Sequence, residues 1–577
     1  MFTSPNRMKI GEFLLRRLEE AGVGQLFGVP GDYNMVLMRL LEQRGKPEWI
    51  GTCNELNGAY AADGYARLNG LSVLVVTSGV GALSAFNGIA GAYSEHVPVI
   101  VIAGALPLKY VKRGAKLHHT LCDEGQDQFY RAYSEITAAQ AKLTHANAVS
   151  EIDRLILTAW REKRPVYMEL PSDICYLDIE VPDKPLALTY TPSDPERLGS
   201  CANAILDRLR AAESPSILVD MDAERYGVLD EIAKLAEHWQ MRVATTGPAK
   251  GAFPETSPLH AGLYGGAGSL PGTLEAIEGS DCLVTIGYRR IESTTGFFSD
   301  KLPPSAIHLN GEWIDIGDDN YQGVGVVELL PRLLSGPAAP DRDYPPLLVP
   351  EPAVQVVGSD PLTHKTYWHT MRELLTPGDV VVVEDGTNVG GAIVGLRVPE
   401  GCTYICAAQV WGSIGYTTGA VLGTLAAAPD RRQILFTGDG SFQMTAQELS
   451  TVLRHGYKPL IFLINNGGYT IERTILGKDD SYNDIANWRY AELPHAFARE
   501  ATFETAVVRT NDELRAVLDS PHDELLFVEV VIDKDDAPEL LIMSGHELAE
   551  TVYGPRGPQH EPGAQIPLHT GTAVPVG

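Results

Sequence analysis

The sequence predicts an α/β fold of three domains, each built on a parallel, doubly wound sheet. Three observations point to this fold: short strand-like segments are apolar throughout, helical patterns lie between most of them, and two proline-rich stretches divide the chain. Strands that are hidden on both faces and joined by helices form parallel sheets. A chain of 577 residues is also too long for a single core.

The strands and linkers can be placed in order along the chain. Buried strands are predicted at 71–78, 97–104, 215–220, 282–287, 379–386, 433–440, 459–466 and 526–533. The proline-rich stretches 182–196 and 337–352 cannot continue a helix or a central strand, so they are predicted linkers. The resulting parts are domains at 1–181, 197–336 and 353–540, and a C-terminal tail at 541–577. From residue 553 on, the tail is rich in Gly and Pro and is predicted to be irregular or to form a lid.

Composition narrows the class of protein. With 44% hydrophobic and 21% charged residues the chain is typical of globular proteins. A formal charge of −28 argues against a nucleic-acid partner, which requires clustered Lys and Arg. The seven cysteines are dispersed, and neither a signal peptide nor an apolar run of membrane-spanning length is recognised. We therefore expect a cytoplasmic protein with reduced thiols and no membrane partner.

A glycine-rich segment, TSGVGALSAFNG (77–88), follows one predicted strand and opens a helix. It imitates the dinucleotide fingerprint GxGxxG, but Ser84 replaces the third glycine and no acid ends the next strand. We interpret it as a turn that lets a helix pack closely rather than as an NAD site.

Acidic and amide side chains follow two successive predicted strands. Asp439 comes directly after one strand, and Ser441 opens the helical pattern that follows. A helix start binds phosphate, and an aspartate beside it can hold Mg²⁺. After a spacer of 24 residues, 441–464, the next strand ends at Asn465-Asn466, at the same carboxyl edge of the sheet. NNGG alone is more often a simple turn. Paired with GDG at this spacing, it predicts a metal–diphosphate site.

This pairing resembles the signature of thiamine diphosphate-dependent enzymes. Further segments resemble the 2-oxo acid decarboxylases, a group that includes pyruvate, indolepyruvate, phenylpyruvate and branched-chain oxo acid decarboxylases. These segments are FGVPGDYN (27–34), GTCNELNGAYAADGYAR (51–67), LHHTL (117–121), WGSIGYTTGA (411–420) and NNGGYTIE (465–472). The likeness extends from about residue 8 to 535. It implies the three-domain fold of these enzymes, thiamine diphosphate and Mg²⁺ as cofactors, and non-oxidative decarboxylation of a 2-oxo acid to an aldehyde through an ylid and an enamine.

The resemblance implies roles for matching residues of the cofactor site. Mg²⁺ would be held by Asp439, the Asn466 side chain and the Gly468 carbonyl. Glu55 would hydrogen-bond the aminopyrimidine ring and promote loss of the thiazolium C2 proton, although a lone Glu at a helix start is otherwise a cap. Further cofactor contacts would come from Thr387, Gly412, Ile414, Gly440, Ser441 and Ile471, with Ile414 as the wedge that bends the cofactor.

The resemblance also implies an acid–base relay of Asp32, His118, His119 and Glu472, which would protonate the carbon that loses CO₂. Adjacent histidines on a loop are otherwise surface residues or metal ligands. In this family the counterpart of Glu55 comes from one subunit and the GDG domain from another. We therefore expect a homo-oligomer, a dimer or a dimer of dimers, with shared active sites.

The sequence departs from the family within 384–394. Asn388, Val389 and Gly390 stand where many relatives have Ser, Ala and Phe. Loss of an aromatic side chain leaves a void, which is costly unless something fills it. We expect Val389, Gly390 and Ile471 to line a pocket for a bulky aromatic or a long or branched aliphatic oxo acid. Local repacking is the alternative.

Other functions stay open from the sequence alone. A carboligase similar to acetolactate synthase would share the cofactor site, but the histidine pair disfavours it. A pyruvate-preferring decarboxylase is a further alternative. A non-catalytic protein that keeps the fold is disfavoured by Glu55, Asp439 and Asn466.

Overall fold

The computed structural model describes residues 6–122, 125–344, 354–407 and 410–568. It contains three large sheets and a short antiparallel pair formed by Arg7–Lys9 and Asp178–Glu180. The described residues group into two compact units. One draws on 1–191, 415–430 and 445–457, and the other on 192–414, 431–444 and 458–577.

The N-terminal sheet has six strands, all parallel. In spatial order they are Glu48–Gly51, Gln25–Gly28, Ser72–Thr77, Val99–Ala105, Val166–Pro171 and Ala139–Lys142. The helices of this unit are Ile10–Glu20, Met35–Arg44, Glu55–Asn69, Val80–Ser94, Leu108–Val111, Gln128–Tyr133, Ala148–Glu162, Tyr416–Ala427 and Leu449–Arg454, the last preceded by the 3₁₀ turn Ala446–Glu448. The two strands predicted here are confirmed, and the central strand Val99–Ala105 is buried along its whole length.

The central sheet is mixed rather than wholly parallel. In spatial order its strands are His260–Tyr264, Arg242–Thr246, Pro215–Val219, Cys282–Ile286, Ile307–Leu309, Trp313–Ile316 and Asp319–Gln322. The first five are parallel and the last two pair antiparallel at one edge, where a short hairpin replaces a helical crossover. The helices around this sheet are Pro195–Ala211, Asp222–Arg225, Leu229–Trp239, Pro271–Glu278, Glu292–Thr295 and Val326–Leu333, with a 3₁₀ turn at Gly247–Ala249.

The C-terminal sheet again has six parallel strands. In spatial order they are Thr403–Cys406, Val380–Val383, Gln433–Gly438, Leu460–Asn465, Leu525–Val531 and Phe503–Val508. The helices of this part are His364–Met371, Thr387–Gly395, Asp439–Thr445, Thr470–Ile475, Leu493–Phe497, Asn511–Leu518 and Glu539–Tyr553, with 3₁₀ turns at Ser481–Asn483, Tyr490–Glu492 and Pro558–His560. All four strands predicted here are present, each within two residues of its predicted start.

The linkers and the tail can be compared with their predictions. The first linker, 182–196, is irregular up to the helix that begins at Pro195, where Asp194 caps the helix by accepting from Arg197 N. The second linker, 337–352, lies partly outside the described residues. The predicted tail opens with a helix, Glu539–Tyr553, because its apolar residues Leu541, Ile542 and Ala549 are buried on one side. Beyond it, the described residues up to 568 are irregular apart from one 3₁₀ turn, as predicted.

Two further findings concern the cysteines and the helices of the described residues. None of the seven cysteines is in a disulfide, as their dispersed positions predict. Within the described ranges, every helix is either too short or too polar to cross a bilayer.

Candidate active site

Asp439 lies at the carboxyl edge of the C-terminal sheet. It follows the strand Gln433–Gly438, which pairs in parallel with Leu460–Asn465. Its side chain is buried and accepts three backbone hydrogen bonds, from Gly440 N to Oδ1 at 2.8 Å, and from Gly467 N and Gly468 N to Oδ2 at 2.7 and 3.1 Å. Burial raises the pKa of Asp439 to about 6, against the opposing effect of these amides. A nearby cation would favour the charged carboxylate.

The side-chain amide of Asn466 completes a polar cluster with this carboxylate. One terminal atom of the amide lies 3.2 Å from Asp439 Oδ1 and 2.9 Å from the Gly468 carbonyl oxygen, while the other lies 3.1 Å from Thr470 Oγ1. With its NH₂ group turned inward, the amide donates to both oxygens. With its oxygen turned inward, three oxygen atoms face one another and repel unless a cation lies among them. Carboxylate, amide and carbonyl oxygens are ligands that Mg²⁺ accepts, so the three residues fit this ion.

Two helices begin at the same edge of the sheet. Thr387 is the first residue of Thr387–Gly395, and Ser441 lies in the first turn of Asp439–Thr445. The strands that precede these helices are parallel neighbours. Between Asp439 and Ser441, Gly440 packs under the ring of Tyr469, since a Cβ on the glycine would lie 2.6 Å from a ring carbon. Adjacent helix starts present N–H groups to an anion, which fits the predicted diphosphate contacts.

The remaining predicted cofactor residues lie in turns and in a short helix. Ile471 is half-buried in Thr470–Ile475, and its Cγ2 is 3.7 Å from the position of a Cβ on Gly386, directly before Thr387. Gly412 has a φ of 66°, a left-handed conformation that favours glycine, and Ile414 is half-buried two residues later.

Glu55 is the first residue of the helix Glu55–Asn69. The cap of this helix is supplied by Asn54, whose side chain accepts from Asn57 N at 2.8 Å, so the Glu55 carboxylate is not needed as a cap. Its Oε1 lies 3.0 Å from the position that a Cβ on Gly81 would occupy. The glycine-rich segment thus leaves room for this carboxylate. The same segment also packs closely, because a Cβ on Gly88 would lie 2.6 Å from Ala59 Cβ, as the interpretation of 77–88 as a packing turn requires.

Asp32, His118 and His119 lie together in the first compact unit. His118 Nε2 is 2.5 Å from Asp32 Oδ2, and His119 Nδ1 is 4.0 Å from Asp32 Oδ1. Tyr33 stacks on the His118 ring at 5.0 Å and donates to the His118 carbonyl at 3.2 Å. His119 has a φ of 60°, an uncommon conformation for a residue with a side chain, of the kind that clusters at functional sites.

Glu472 lies in the second compact unit, on the helix Thr470–Ile475 next to Ile471. Its side chain reaches the surface, yet nearby protein atoms partly desolvate the carboxyl and raise its pKa. A shift in this direction favours the carboxyl as a proton donor.

The region of the predicted substrate pocket contains a packing contact that the sequence does not reveal. Gly390 is buried against the helix Glu539–Tyr553, and a Cβ on this glycine would lie 2.9 Å from Leu541 Cβ. Leu541 therefore takes up space beside Gly390, and Val389 next to it is half-buried. This contact favours local repacking over an empty void at this position.

Sequence reasoning missed several residues around these groups. Tyr33, Gly81 and Leu541 contact or border predicted site residues. Glu448 contacts Cys53 and Asn57, which lie two positions before and after Glu55. The signal for Gly81 was present, since it belongs to the glycine-rich segment. Glu448 is hundreds of positions away in sequence from Asn57, and Leu541 is about 150 positions away from Gly390. Only the fold brings these residues together.

Comparisons with known proteins identify the family of the chain. Three regions match the thiamine pyrophosphate enzyme family: 8–129 its N-terminal TPP binding domain, 202–335 its central domain and 388–530 its C-terminal TPP binding domain. A pyruvate decarboxylase of Aspergillus terreus is 38% identical over 566 residues, 94% of this chain and 97% of that protein. An alpha-keto-acid decarboxylase of Mycobacterium leprae is 38% identical over 544 residues, 92% of this chain and 94% of that protein. The chain therefore belongs to the family of thiamine diphosphate-dependent 2-oxo acid decarboxylases.

Proposed function

We propose that this decarboxylase converts a 2-oxo acid to an aldehyde and CO₂ with thiamine diphosphate held through Mg²⁺ by the residues described above. The observation that carries this proposal is the cluster of Asp439 Oδ1, the Asn466 amide and the Gly468 carbonyl. A buried carboxylate that faces a carbonyl oxygen, beside a side-chain amide that can turn its oxygen inward, is well suited to bind a divalent cation. The neighbouring helix starts at Thr387 and Ser441 suit the diphosphate.

The bound cofactor supplies the electron sink that a 2-oxo acid lacks when it loses CO₂. The residues of this chain do the rest. We assign Glu55 to a hydrogen bond with the aminopyrimidine ring, and the absence of a side chain at Gly81 leaves space beside its Oε1. Asp32 holds His118 through Nε2, which sets the position of the proton that the imidazole carries. We assign this pair, His119 and Glu472 to proton transfer to and from substrate.

The preferred side chain of the substrate is a finer proposal. The absence of an aromatic at Val389 and Gly390 supports a bulky aromatic or a long or branched aliphatic oxo acid. The contact between Gly390 and Leu541 supports the second candidate, a pyruvate-preferring enzyme whose pocket is closed by the C-terminal helix. We also propose a homo-oligomer with active sites shared between subunits, by resemblance to the family.

The test is reconstitution of the purified chain with thiamine diphosphate and Mg²⁺. Aldehyde is then measured from pyruvate, 4-methyl-2-oxopentanoate, phenylpyruvate, indolepyruvate and benzoylformate. We expect cofactor-dependent aldehyde that is abolished by chelation and by Asp439→Asn. The largest rates with bulky acids would support the open pocket, and a preference for pyruvate would support the pocket closed by Leu541. A condensed hydroxyketone in place of aldehyde would instead identify a carboligase.

A further inference from the structure

A buried carboxylate, Glu448, contacts the start of the helix that carries Glu55. It ends the 3₁₀ turn Ala446–Glu448 and is fully buried. Its Oε2 accepts two hydrogen bonds, one from the backbone N–H of Cys53 at 3.1 Å and one from Asn57 Nδ2 at 2.7 Å. Both partners belong to the same compact unit as Glu448. The two bonds therefore hold residues two positions before and two positions after Glu55.

The surroundings make this contact specific. Asn57 is fully buried like Glu448, and its backbone N–H is already taken by the Asn54 cap, so only its side chain is available to Glu448. Cys53 is held a second time, because its Sγ lies 3.3 Å from the Gln447 carbonyl. Burial raises the pKa of Glu448, which means that the fold keeps a carboxyl here in spite of the cost of removing it from water.

We propose that Glu448 is a positioning residue for Glu55. Its hydrogen bonds to Cys53 and Asn57 fix the first turn of the helix Glu55–Asn69 and so the direction from which the Glu55 carboxylate reaches the cofactor. The inference rests on the proposed function, since it requires Glu55 to act on the aminopyrimidine ring. Glu448 itself contacts neither cofactor nor substrate in this scheme.

The physical reason is that Glu55 stands at the first position of its helix, where the chain is least restrained. The first turn of a helix lacks internal partners for its N–H groups, so contacts from outside the helix restrain it. Here Asn54 accepts from the Asn57 N–H, and Glu448 adds a restraint on either side of the cap through the Cys53 N–H and the Asn57 side chain. The Glu55 carboxylate itself borders Gly81. A displacement of about 1 Å at a catalytic group can cost on the order of 100-fold in rate.

The experiment changes the donor and acceptor groups of the buried contact. Asn57→Asp removes the N–H donor of the 2.7 Å bond and sets two carboxyl groups against each other, which repel when both are ionised. An acid in the first turn of a helix is otherwise favourable, so helix formation itself is not impaired. The double variant Asn57→Asp with Glu448→Gln restores a donor and an acceptor between these two side chains, but the amide group that donates to the new carboxylate no longer accepts from the Cys53 N–H. Glu448→Asp, which shortens the reach of the carboxylate, is a milder second variant.

The readout is exchange of the thiazolium C2 proton of the bound cofactor against D₂O, followed by NMR after acid quench, together with the Kd for thiamine diphosphate and the melting temperature. We expect Asn57→Asp to slow exchange on the order of 100-fold at saturating cofactor. Glu448→Asp should slow it less, and the double variant should recover part of the loss, since it restores one of the two hydrogen bonds.

Asp379→Asn is the matched control. Asp379 is also a buried carboxylate that accepts a backbone bond, from Thr376 N at 2.7 Å, but it lies at the amino end of the strand Val380–Val383. The Asp379→Asn substitution should lower the melting temperature and leave exchange of the C2 proton unchanged. Wild-type exchange in folded, cofactor-loaded Asn57→Asp and Glu448→Asp would overturn the positioning role. If the wild type and Glu55→Gln exchange equally, the assignment of Glu55 fails first, and the inference fails with it.

Discussion

At the scale of single residues, Gly81 shows how a missing side chain serves the candidate site. A Cβ at this position would lie 3.0 Å from Glu55 Oε1 and 3.5 Å from Val76 Cβ. The strand atoms of Val76 cannot move, whereas the carboxylate of Glu55 can. Any side chain at Gly81 therefore displaces the group that we assign to the cofactor ring.

We expect Gly81→Ala to lower kcat by about 10-fold to 100-fold, because the Glu55 carboxylate must shift to relieve the contact. The substitution lies in the helix Val80–Ser94, where Ala is the better helix former, so stability should not fall. Activity and thermal unfolding measured on the same preparation test this.

Gly199→Ala is the control for Gly81→Ala. Gly199 also lies within a helix, but a Cβ there meets nothing within 4 Å. Its kcat should equal that of the wild type. Equal activity of the two variants would remove Gly81 from the site.

At the scale of elements, the sequence predicts long apolar strands well and amphipathic or short ones poorly. Val99–Ala105 is buried throughout and Leu460–Asn465 is buried after its first residue, so their apolar sequences predict strands without any knowledge of the fold. The edge strand Phe503–Val508 is mostly half-buried, with a single fully buried residue, and Gln25–Gly28 has only four residues, so neither carries such a signal. The antiparallel edge strands of the central sheet could not be predicted, for the same reason.

The contact between Gly390 and the helix Glu539–Tyr553 leads to a prediction about specificity. Leu541→Ala removes the side chain that packs beside Gly390. We expect the ratio of kcat/KM for phenylpyruvate to kcat/KM for pyruvate to rise by about 10-fold. A few methylene groups in an apolar pocket provide discrimination of this size. Rates with both acids, measured on one preparation, give the ratio.

Gly390→Phe provides the converse of this test. On its own it overpacks the site, since even a Cβ would lie 2.9 Å from Leu541 Cβ, and it should destabilise the fold by about 1–3 kcal/mol. Combined with Leu541→Ala it should fit, regain stability and favour pyruvate. An unchanged substrate ratio in both Leu541→Ala and the double variant would mean that this contact does not border the substrate.

At the scale of the whole molecule, the stability of the chain should depend on pH through Asp220. This aspartate is fully buried, and burial raises its pKa to about 6, although Thr246 Oγ1, Met221 N and Arg289 N all donate to it. The folded state therefore holds the proton more tightly than the unfolded state, whose aspartate has a pKa of about 3.9. Stability is highest below pH 4 for this group and falls by about 2–3 kcal/mol as pH rises to 6.

Asp220→Asn should flatten this part of the pH profile. The variant is expected to be less stable at low pH, because an amide NH₂ would face the Arg289 N–H, but it should lose little more on going from pH 4 to pH 6. Urea unfolding at pH 4, 5 and 6 gives the free energy of unfolding of the wild type and of the variant. Effects of the overall charge of −28 cancel in the difference between the two proteins. Parallel profiles would contradict the assignment.

The candidate site was predictable where a few residues lie close together in sequence, as in GDG, NNGG and the histidine pair. Asp439, Asn466 and Gly468 could be grouped because successive strands of one parallel sheet end at one edge. The supports of these residues could not be predicted. The bond from Asn57 to Glu448 joins residues 391 positions apart, and no local pattern reports such a contact.

The proposal of shared active sites makes a prediction about mixtures of inactive chains. Glu55→Gln removes the carboxylate that we assign to the aminopyrimidine ring, and Asp439→Asn removes the carboxylate that we assign to Mg²⁺. If each site combines Glu55 of one subunit with Asp439 of the partner subunit, a hybrid dimer of the two variants contains one intact site. Unfolding and refolding an equal mixture should then yield about a quarter of wild-type activity, since half of the dimers are hybrid and half of their sites are intact. Each variant refolded alone is the control and should stay inactive. A mixture as inactive as its components would mean that both residues act within one chain, and the shared site would have to be abandoned.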